Sequence, residues 1–329
     1  MFKQKDYSFP FSIRQKESLL IRLPPDHPAR NHIEEDLRIA YAGYHGERSL
    51  LYHLNFVEQD YHFFHDLRLP WKNGYHFQID ILLLSPACMI ILEVKNIAGE
   101  LFFDQKAEQL IRTKDSTKEA FPYPITQLER HIFQLQQFLH RHQLPPLPII
   151  PFVVSAKSSS VLATDSNHDF LFDSVVRSAN LPFKINKLKT AYTQNILSTS
   201  QLEKLSYLLL ESHTPFIQNQ LRKYNISVTD LMTGVLCDHC YGTQMHRVRG
   251  YWTCPHCGSR NADAHIQALA DFCLINQQIT NQQFRNFTHL DSISIASKLL
   301  SSLHLRYSGT YKNRSYFLDI DRLSNRLGL

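Results

Sequence analysis

Helix, strands, helix, strand is the order read over the first half of the chain, and it predicts an α/β fold. Two further observations divide the rest: two Cys-x-x-Cys pairs thirteen residues apart, and three helical patterns closed by a strand pair. The expected layout is an N-terminal arm over 1–31, an α/β domain over 32–157, a helical connector over 158–234, a metal-bearing hairpin over 235–260 and a helical domain over 261–329.

Taken in order, Ile33 to about Leu54 has helical spacing, with Glu34, Glu35 and Asp36 expected in its first turn, where they suit the helix dipole. Tyr61 to Leu67, Tyr75 to Leu84, Cys88 to Val94 and Glu100 to Asp104 read as four short strands separated by Pro-, Gly- and Asn-bearing turns, and are expected to form an antiparallel meander. Thr126 to about Arg141 returns to helical period through Leu128, Ile132, Leu135 and Leu139. The Pro-rich stretch Leu144 to Pro148 reads as a turn into a wholly apolar strand, Ile149 to Val154. Residues 158–200 carry little pattern, and Ser200 to about Leu210 is a helix.

The chain has 329 residues and a formal charge of +5 from 35 Lys+Arg and 30 Asp+Glu, which permits nucleic acid as a partner without demanding it. Residues 237–329 hold 10 Lys+Arg and 6 Asp+Glu, so this part carries +4 of the +5. No apolar run approaches the ~20 residues that cross a bilayer, so no membrane partner is expected. The first residues lack an apolar stretch and a small-residue cleavage site, and a cytoplasmic location is expected. Oligomeric state is not written in the pattern.

Strands Gln78 to Leu84 and Met89 to Lys95 are apolar on both faces except at Gln78, Asp80, Glu93 and Lys95. A turn centred between Pro86 and Ala87 makes antiparallel partners sum to 173. Asp80 is then expected opposite Glu93, and Gln78 opposite Lys95, on one face. Facing carboxylates among leucines and isoleucines repel, and burial makes this worse. A hard divalent ion, Mg²⁺ or Mn²⁺, takes oxygen ligands and relieves that repulsion, a pattern that suits phosphodiester cleavage. The plainer alternative is a structural Asp80–Lys95 ion pair with Glu93 solvated. His62, His65 and His76 near these strands read as core or surface residues.

Gln78-Ile79-Asp80, the thirteen-residue step to Glu93-Val94-Lys95-Asn96, the following Gly99, an upstream Gly46-Glu47 and a downstream Pro124-Ile125-Thr126-Gln127 resemble the nuclease-related domain family, NERD. That family is similar to the restriction-endonuclease-like fold with its Asp…Glu-x-Lys signature, a mixed sheet flanked by helices. The resemblance covers about residues 32–155. It implies a metal-dependent nuclease with Asp80 and Glu93 as metal ligands, Lys95 orienting water or offsetting phosphate charge, Glu47 as an extra acidic residue, and Gln78 and Gln127 in support. The wider signature often has Pro before its Asp, where this chain has Ile79; Gln-Ile-Asp is the NERD form. Fold does not prove activity. A non-catalytic nucleic-acid-binding or adaptor protein on the same fold is the alternative, and a ligand-sensing transcription regulator a third reading.

Cys237-x-x-Cys240 and Cys254-x-x-Cys257 have the spacing of a tetrahedral four-sulfur zinc ribbon, a structural site with no open position. Arg247, Arg249, Tyr251 and Trp252 on the hairpin between the knuckles suggest a nucleic-acid surface, or else packing of the ribbon. Ala264 to Leu274, Thr280 to Phe287 and Ser292 to Leu303 read as three helices, with Thr280 and Asp291 as caps before the second and third. With the hairpin over 305–318 they resemble a winged helix-turn-helix. That resemblance makes the third helix, with Lys298 on its polar face, the groove-entering element, and Arg306, Lys312 and Arg314 the phosphate contacts, with DNA the expected nucleic acid. Few base-reading side chains on that helix predict weak sequence specificity.

Overall fold

The computed structural model describes residues 2–58, 60–164, 173–240, 242–273, 276–310, 313–319 and 322–323. Its elements begin with β1 (Phe2–Lys5), α1 (Phe11–Arg22), α2 (Arg30–Leu54), β2 (His62–Pro70), β3 (His76–Leu84), β4 (Met89–Lys95) and β5 (Glu100–Asp104). There follow β6 (Gln109–Lys114), β7 (Thr117–Pro122), α3 (Pro124–Arg141), β8 (Ile149–Ser155), β9 (Val161–Thr164), β10 (Val175–Arg177), α4 (Leu181–Ala191), α5 (Thr199–Ser212) and α6 (Gln220–Lys223). The remainder is β11 (Val235–Leu236), β12 (Gln244–Val248), β13 (Tyr251–Thr253), β14 (Arg260–Asn261), α7 (Ala264–Phe272), β15 (Gln278–Thr280), α8 (Asn281–Thr288), α9 (Ile293–Ser302), β16 (Tyr307–Ser308) and β17 (Ser315–Phe317). These divide into two compact units, Met1–Phe9 with Tyr41–Phe216 and Pro10–Ala40 with Ile217–Leu329.

The first unit is built on a six-stranded mixed sheet ordered β1-β2-β3-β4-β8-β10. Strands β2, β3 and β4 run antiparallel, while β1 adds parallel to β2, and β8 and β10 add parallel beyond β4. One face buries Leu82, Leu84, Met89 and Ile91 against Leu128, Leu135 and Phe138 of α3 and Leu202, Leu205 and Leu209 of α5. The other buries Ile81, Leu83, Ile90 and Leu92 against Leu50 and Leu54 of α2 and Leu181 and Ile185 of α4. Covered on both faces, β3 and β4 are apolar runs rather than alternating ones, as buried strands are.

Four expectations are corrected. The meander ends at three strands: β4 gives its free edge to β8, and Gly99, at φ +115° with room for no Cβ beside the Thr113 carbonyl, turns the chain away. Strand β5 instead enters a second sheet ordered β7-β6-β5-β9. The stretch expected as a helical connector supplies β9 and β10 to the two sheets, its strands of four and three residues being too short to show a period. The expected arm contains β1 and α1, and α2 begins three residues before Ile33. Glu34 and Glu35 therefore serve as along-helix partners of Arg30 and Arg38 rather than as first-turn charges. Ser292, not Asp291, caps α9 by accepting from the Ile295 N–H, whereas Thr280 forms a full capping box before α8.

In the second unit a four-stranded sheet, β11-β12-β13-β14, carries the cysteine knuckles. Val235, Cys237, Met245, Trp252 and Cys254 share a core with Leu269, Phe284, Ala296, Leu300 and Leu303. The helices alternate with a three-stranded antiparallel sheet of order β15-β17-β16. Arg22 closes this unit from α1: its Nε meets the Asp271 carboxylate at 2.7 Å, both side chains about 1% exposed, and its Nη1 donates to the carbonyls of Met232 and Gly234.

Candidate functional site

On β2 and β3 the inward alternation slips by one residue at facing positions. The α3-side core takes Phe64, then Leu67 and Leu69, from β2, and Phe77 and Ile79, then Leu82 and Leu84, from β3. The slip falls at Asp66, whose φ is +50°, and Asp80, which sit across from each other between the His65–Ile81 and Leu67–Ile79 pairs. A sheet interrupted this way exposes polar side chains where a regular ladder would bury apolar ones.

The β3–β4 ladder holds the expected register from Leu84–Met89 to Ile81–Leu92. Its next rung is replaced: the Asp80 carboxylate accepts from the Val94 backbone N–H at 2.8 Å. Glu93, 4% exposed, keeps both oxygens engaged, Oε1 accepting from Lys95 Nζ at 2.6 Å and Oε2 from Gln127 Nε2 at 2.7 Å. The pair is thus Glu93–Lys95, not Asp80–Lys95. Gln127 comes from the first turns of α3, which Pro124 opens. Gln78 is exposed and donates to the Asp66 carboxylate, so it faces β2 and not Lys95.

Glu47 arrives from α2. Gly46 before it lies against Asn96, whose Nδ2 donates to the Ala42 carbonyl at 2.7 Å, so the helix sits close on the chain just past Lys95. Glu47 Oε2 is 2.7 Å from His65 Nε2, His65 stacks on Tyr7 at 3.7 Å between centroids, and the Tyr7 hydroxyl donates to the Glu47 carbonyl. His65, Tyr7 and Asp66 were not expected here. An isolated His on a strand gives no sign of a carboxylate partner eighteen residues away on a helix.

These acids press on one another. Burial pushes the Glu47 carboxyl up to about 8, with the carboxylates of Asp66 and Glu93 adding and Lys5 opposing. Asp80 is held well above the usual carboxylate range by burial and by Glu93 and Glu47, against the Val94 N–H and Lys95. Burial takes His65 down to about 4. The site gathers more carboxyl groups than its lysines can offset once ionised, and its donors are hard oxygens of the kind Mg²⁺ and Mn²⁺ take.

The four cysteine Sγ atoms lie within 4.8 Å of one another, the single such group of three or more Cys, His, Asp or Glu ligand atoms among the described residues. Cys237 and Cys257 stand 3.7 Å apart and Cys240 and Cys254 3.9 Å. A tetrahedron with Zn–S of about 2.3 Å needs about 3.8 Å. The thiolates fit zinc, with no fifth donor needed from the exposed His239 or His256.

Of the basic candidates, Arg249, Lys298 and Arg306 are exposed. Arg247 is half-buried over the Trp252 ring at 5.4 Å, and Trp252, 1% exposed, packs the core. Both serve the ribbon's interior because β12 and β13 turn those side chains inward. Arg314 lies 4.2 Å from the Tyr307 ring centroid, at the opposite end of the β16–β17 hairpin from Arg306. Lys312 lies outside the described residues.

A buried carboxylate held by a lysine and a glutamine thus lies beside a second acid where two strands of a mixed sheet part. The nuclease-related domain family, NERD, has a model that matches residues 42–156, about a third of the chain, so this part of the chain is similar to that family. Glu47, Gln78, Asp80, Glu93, Lys95 and Gln127 all fall inside that match. No curated protein and no solved structure matches the chain.

Proposed function

We propose that this chain is a nuclease-like protein that hydrolyses phosphodiester bonds in DNA at Asp80, Glu93 and Lys95, using Mg²⁺ or Mn²⁺. The observation that carries this reading is Glu93: a carboxylate this buried, fixed at both oxygens by Lys95 and Gln127 and next to a second acid, is costly unless it serves a reaction. Asp80 and Glu93 would hold the ion, with Glu47 completing the acidic set. Bound there, a divalent ion supplies Lewis-acid stabilisation of a phosphoryl oxygen and lowers the pKa of its water. Lys95 Nζ, oriented by Glu93, offsets charge developing on the phosphate. Gln127 fixes the Glu93 rotamer from α3.

The four thiolates hold a structural zinc in this reading. The order α7, β15, α8, α9, β16, β17 with sheet order β15-β17-β16 supports a winged helix, whose α9 presents Ser294, Ser297, Lys298 and Ser301 outward. Arg249, Arg306 and Arg314 then serve as phosphate contacts with weak sequence preference. None of the six cysteines is in a disulfide, which suits the cytoplasm in this reading. One observation favours the alternative, a binding or adaptor protein without turnover: among the described residues no three carboxylates converge within 4.8 Å.

Calorimetric titration of Mg²⁺ and Mn²⁺ into wild type, Asp80→Ala and Glu93→Ala, with cleavage of circular and linear DNA followed alongside, separates the two. Metal-dependent cleavage lost in both variants is expected. Absence of metal binding and cleavage in the wild type leaves the adaptor.

A further inference from the structure

Helix α3 carries Gln127 into the acidic site and, between residues 126 and 134, lines an open groove of about 400 Å³ with Thr126, Glu129, Arg130, Phe133 and Gln134; Trp71 forms the other wall. At 1.5 Å per residue, Arg130 and Phe133 lie about 4.5 and 9 Å along the axis from Gln127. Trp71 belongs to the β2–β3 turn, which closes through its N–H donating to the Tyr75 carbonyl.

The groove's apolar surface is aromatic. Phe133 is 53% exposed, and its ring stands edge-on to Trp71 at 5.9 Å between centroids, so ring faces stay open to the groove. Trp71 is braced from beneath by Phe77. Exposed aromatic faces this close to a polar site are unusual for a surface that serves only as surface. Cationic groups border them: Lys72 Nζ lies 5.3 Å from the Trp71 centroid, and Arg130 is exposed. Against the one acid, Glu129, these leave the rim positive. Gln134 packs into the wall, its Oε1 buried with no hydrogen-bond partner among the described residues.

We propose that this groove is a nucleobase subsite for single-stranded nucleic acid, seating a base that flanks the bond cut at Asp80 and Glu93; it rests on the nuclease reading above. A base stacks on Trp71 or Phe133, the exposed Glu129 carboxylate accepts from its amino or imino N–H groups, and Lys72 and Arg130 meet the adjoining phosphates. A base paired in a duplex has its faces stacked and its hydrogen-bonding edge occupied, so the groove selects strands that are already single or splayed.

The test uses the full chain in buffer without added Mg²⁺ or Mn²⁺, fluorescein-labelled dT20 and a duplex of equal length. Wild type is expected to bind the single strand tighter than the duplex, with quenching of Trp71, one of the chain's two tryptophans. Trp71→Ala and Phe133→Ala are each expected to weaken single-strand binding about tenfold, and Trp71→Phe to keep most affinity while losing the quenching. Lys72→Glu with Arg130→Glu is expected to weaken it further at low salt. Phe133, being exposed, tests the subsite even where Trp71→Ala folds poorly. Single-strand binding unchanged in the Phe133→Ala and charge-reversal variants, or equal affinity for duplex, overturns the subsite while leaving the nuclease reading to its own cleavage assay. No binding of either probe overturns the subsite, and absence of cleavage in the separate assay is what overturns the nuclease reading.

Discussion

Replacing Arg22 by Met removes one cation that three acceptors share. The Asp271 carboxylate keeps its hydrogen bond from Gln267 Nε2, at 2.8 Å, and the carbonyls of Met232 and Gly234 lose the guanidinium. Both charges are about 1% exposed, so neither is rescued by solvent. Breaking a buried pair from one side costs about 3–5 kcal/mol, and the stranded carbonyls hold the value toward the upper end. With a urea slope of about 2 kcal/mol per M the midpoint falls by about 2 M. Trp252 sits in the same core, so its emission, isolated in a Trp71→Phe background, reads this unit alone. Asp271→Asn in the Arg22→Met background is expected to recover a large part of the loss, because the uncompensated charge goes. A midpoint shift below about 0.5 M, or no rescue by Asp271→Asn, would refute the claim that the buried charge pair holds this unit together.

Removing zinc with a chelator, or substituting Cys254→Ser, is expected to red-shift Trp252 emission, since Cys237 and Cys254 lie in the core with it; metal analysis is expected to give one zinc per chain. Gly46→Ala forces a Cβ to 2.4 Å from Asn96 Cβ and is expected to cost about 1–3 kcal/mol in thermal or urea unfolding. Asn96→Gly in the same chain relieves the clash, whereas Asn96→Ala does not, because the obstructing atom is Cβ itself. His265, 2% exposed and taken down to about 4 chiefly by burial, with Arg247 adding, stays neutral in the folded state while the unfolded chain titrates near 6.5. The unfolded state therefore binds more protons between these values, and this stability is present above about pH 6.5 and lost as pH falls toward 4. Between pH 7 and 5 the loss is about 2 kcal/mol, and a His265→Phe chain whose urea midpoint shows the same pH slope would contradict it.

The strand register, the clustering of the four cysteines and the Thr280 cap were readable because each is local: a turn centre, a fixed spacing, a hydroxyl three residues before a glutamine. Helices α3 and α5 declared themselves through long apolar periods. What stayed hidden depends on contacts far apart in sequence. Nothing in Glu100–Asp104 says that its edges pair with β6 and β9 rather than β4. Gln78 looks toward Asp66 only because β2 and β3 slip together, and Arg247 looks exposed until Trp252 is seen beneath it. In the acidic site the spacing pointed to Asp80, Glu93 and Lys95, but the salt bridge that forms runs within β4, because burial of Glu93 makes the nearest cation its partner. Glu47 came from resemblance, and its histidine partner came from nowhere in the pattern.

The facing slip at Asp66 and Asp80 ties the lengths of two strands together. Deleting either residue alone restores alternation on one strand while throwing its ladder out of step with the other, so apolar side chains on one side of the break would exchange faces. Substitution at either position leaves the ladder intact. Over evolutionary time this hairpin can therefore trade one side chain for another singly, but can lengthen or shorten only by matched steps on both strands, and loop insertions are confined to the Trp71–Tyr75 end, where they would reshape the groove and leave the acids in place.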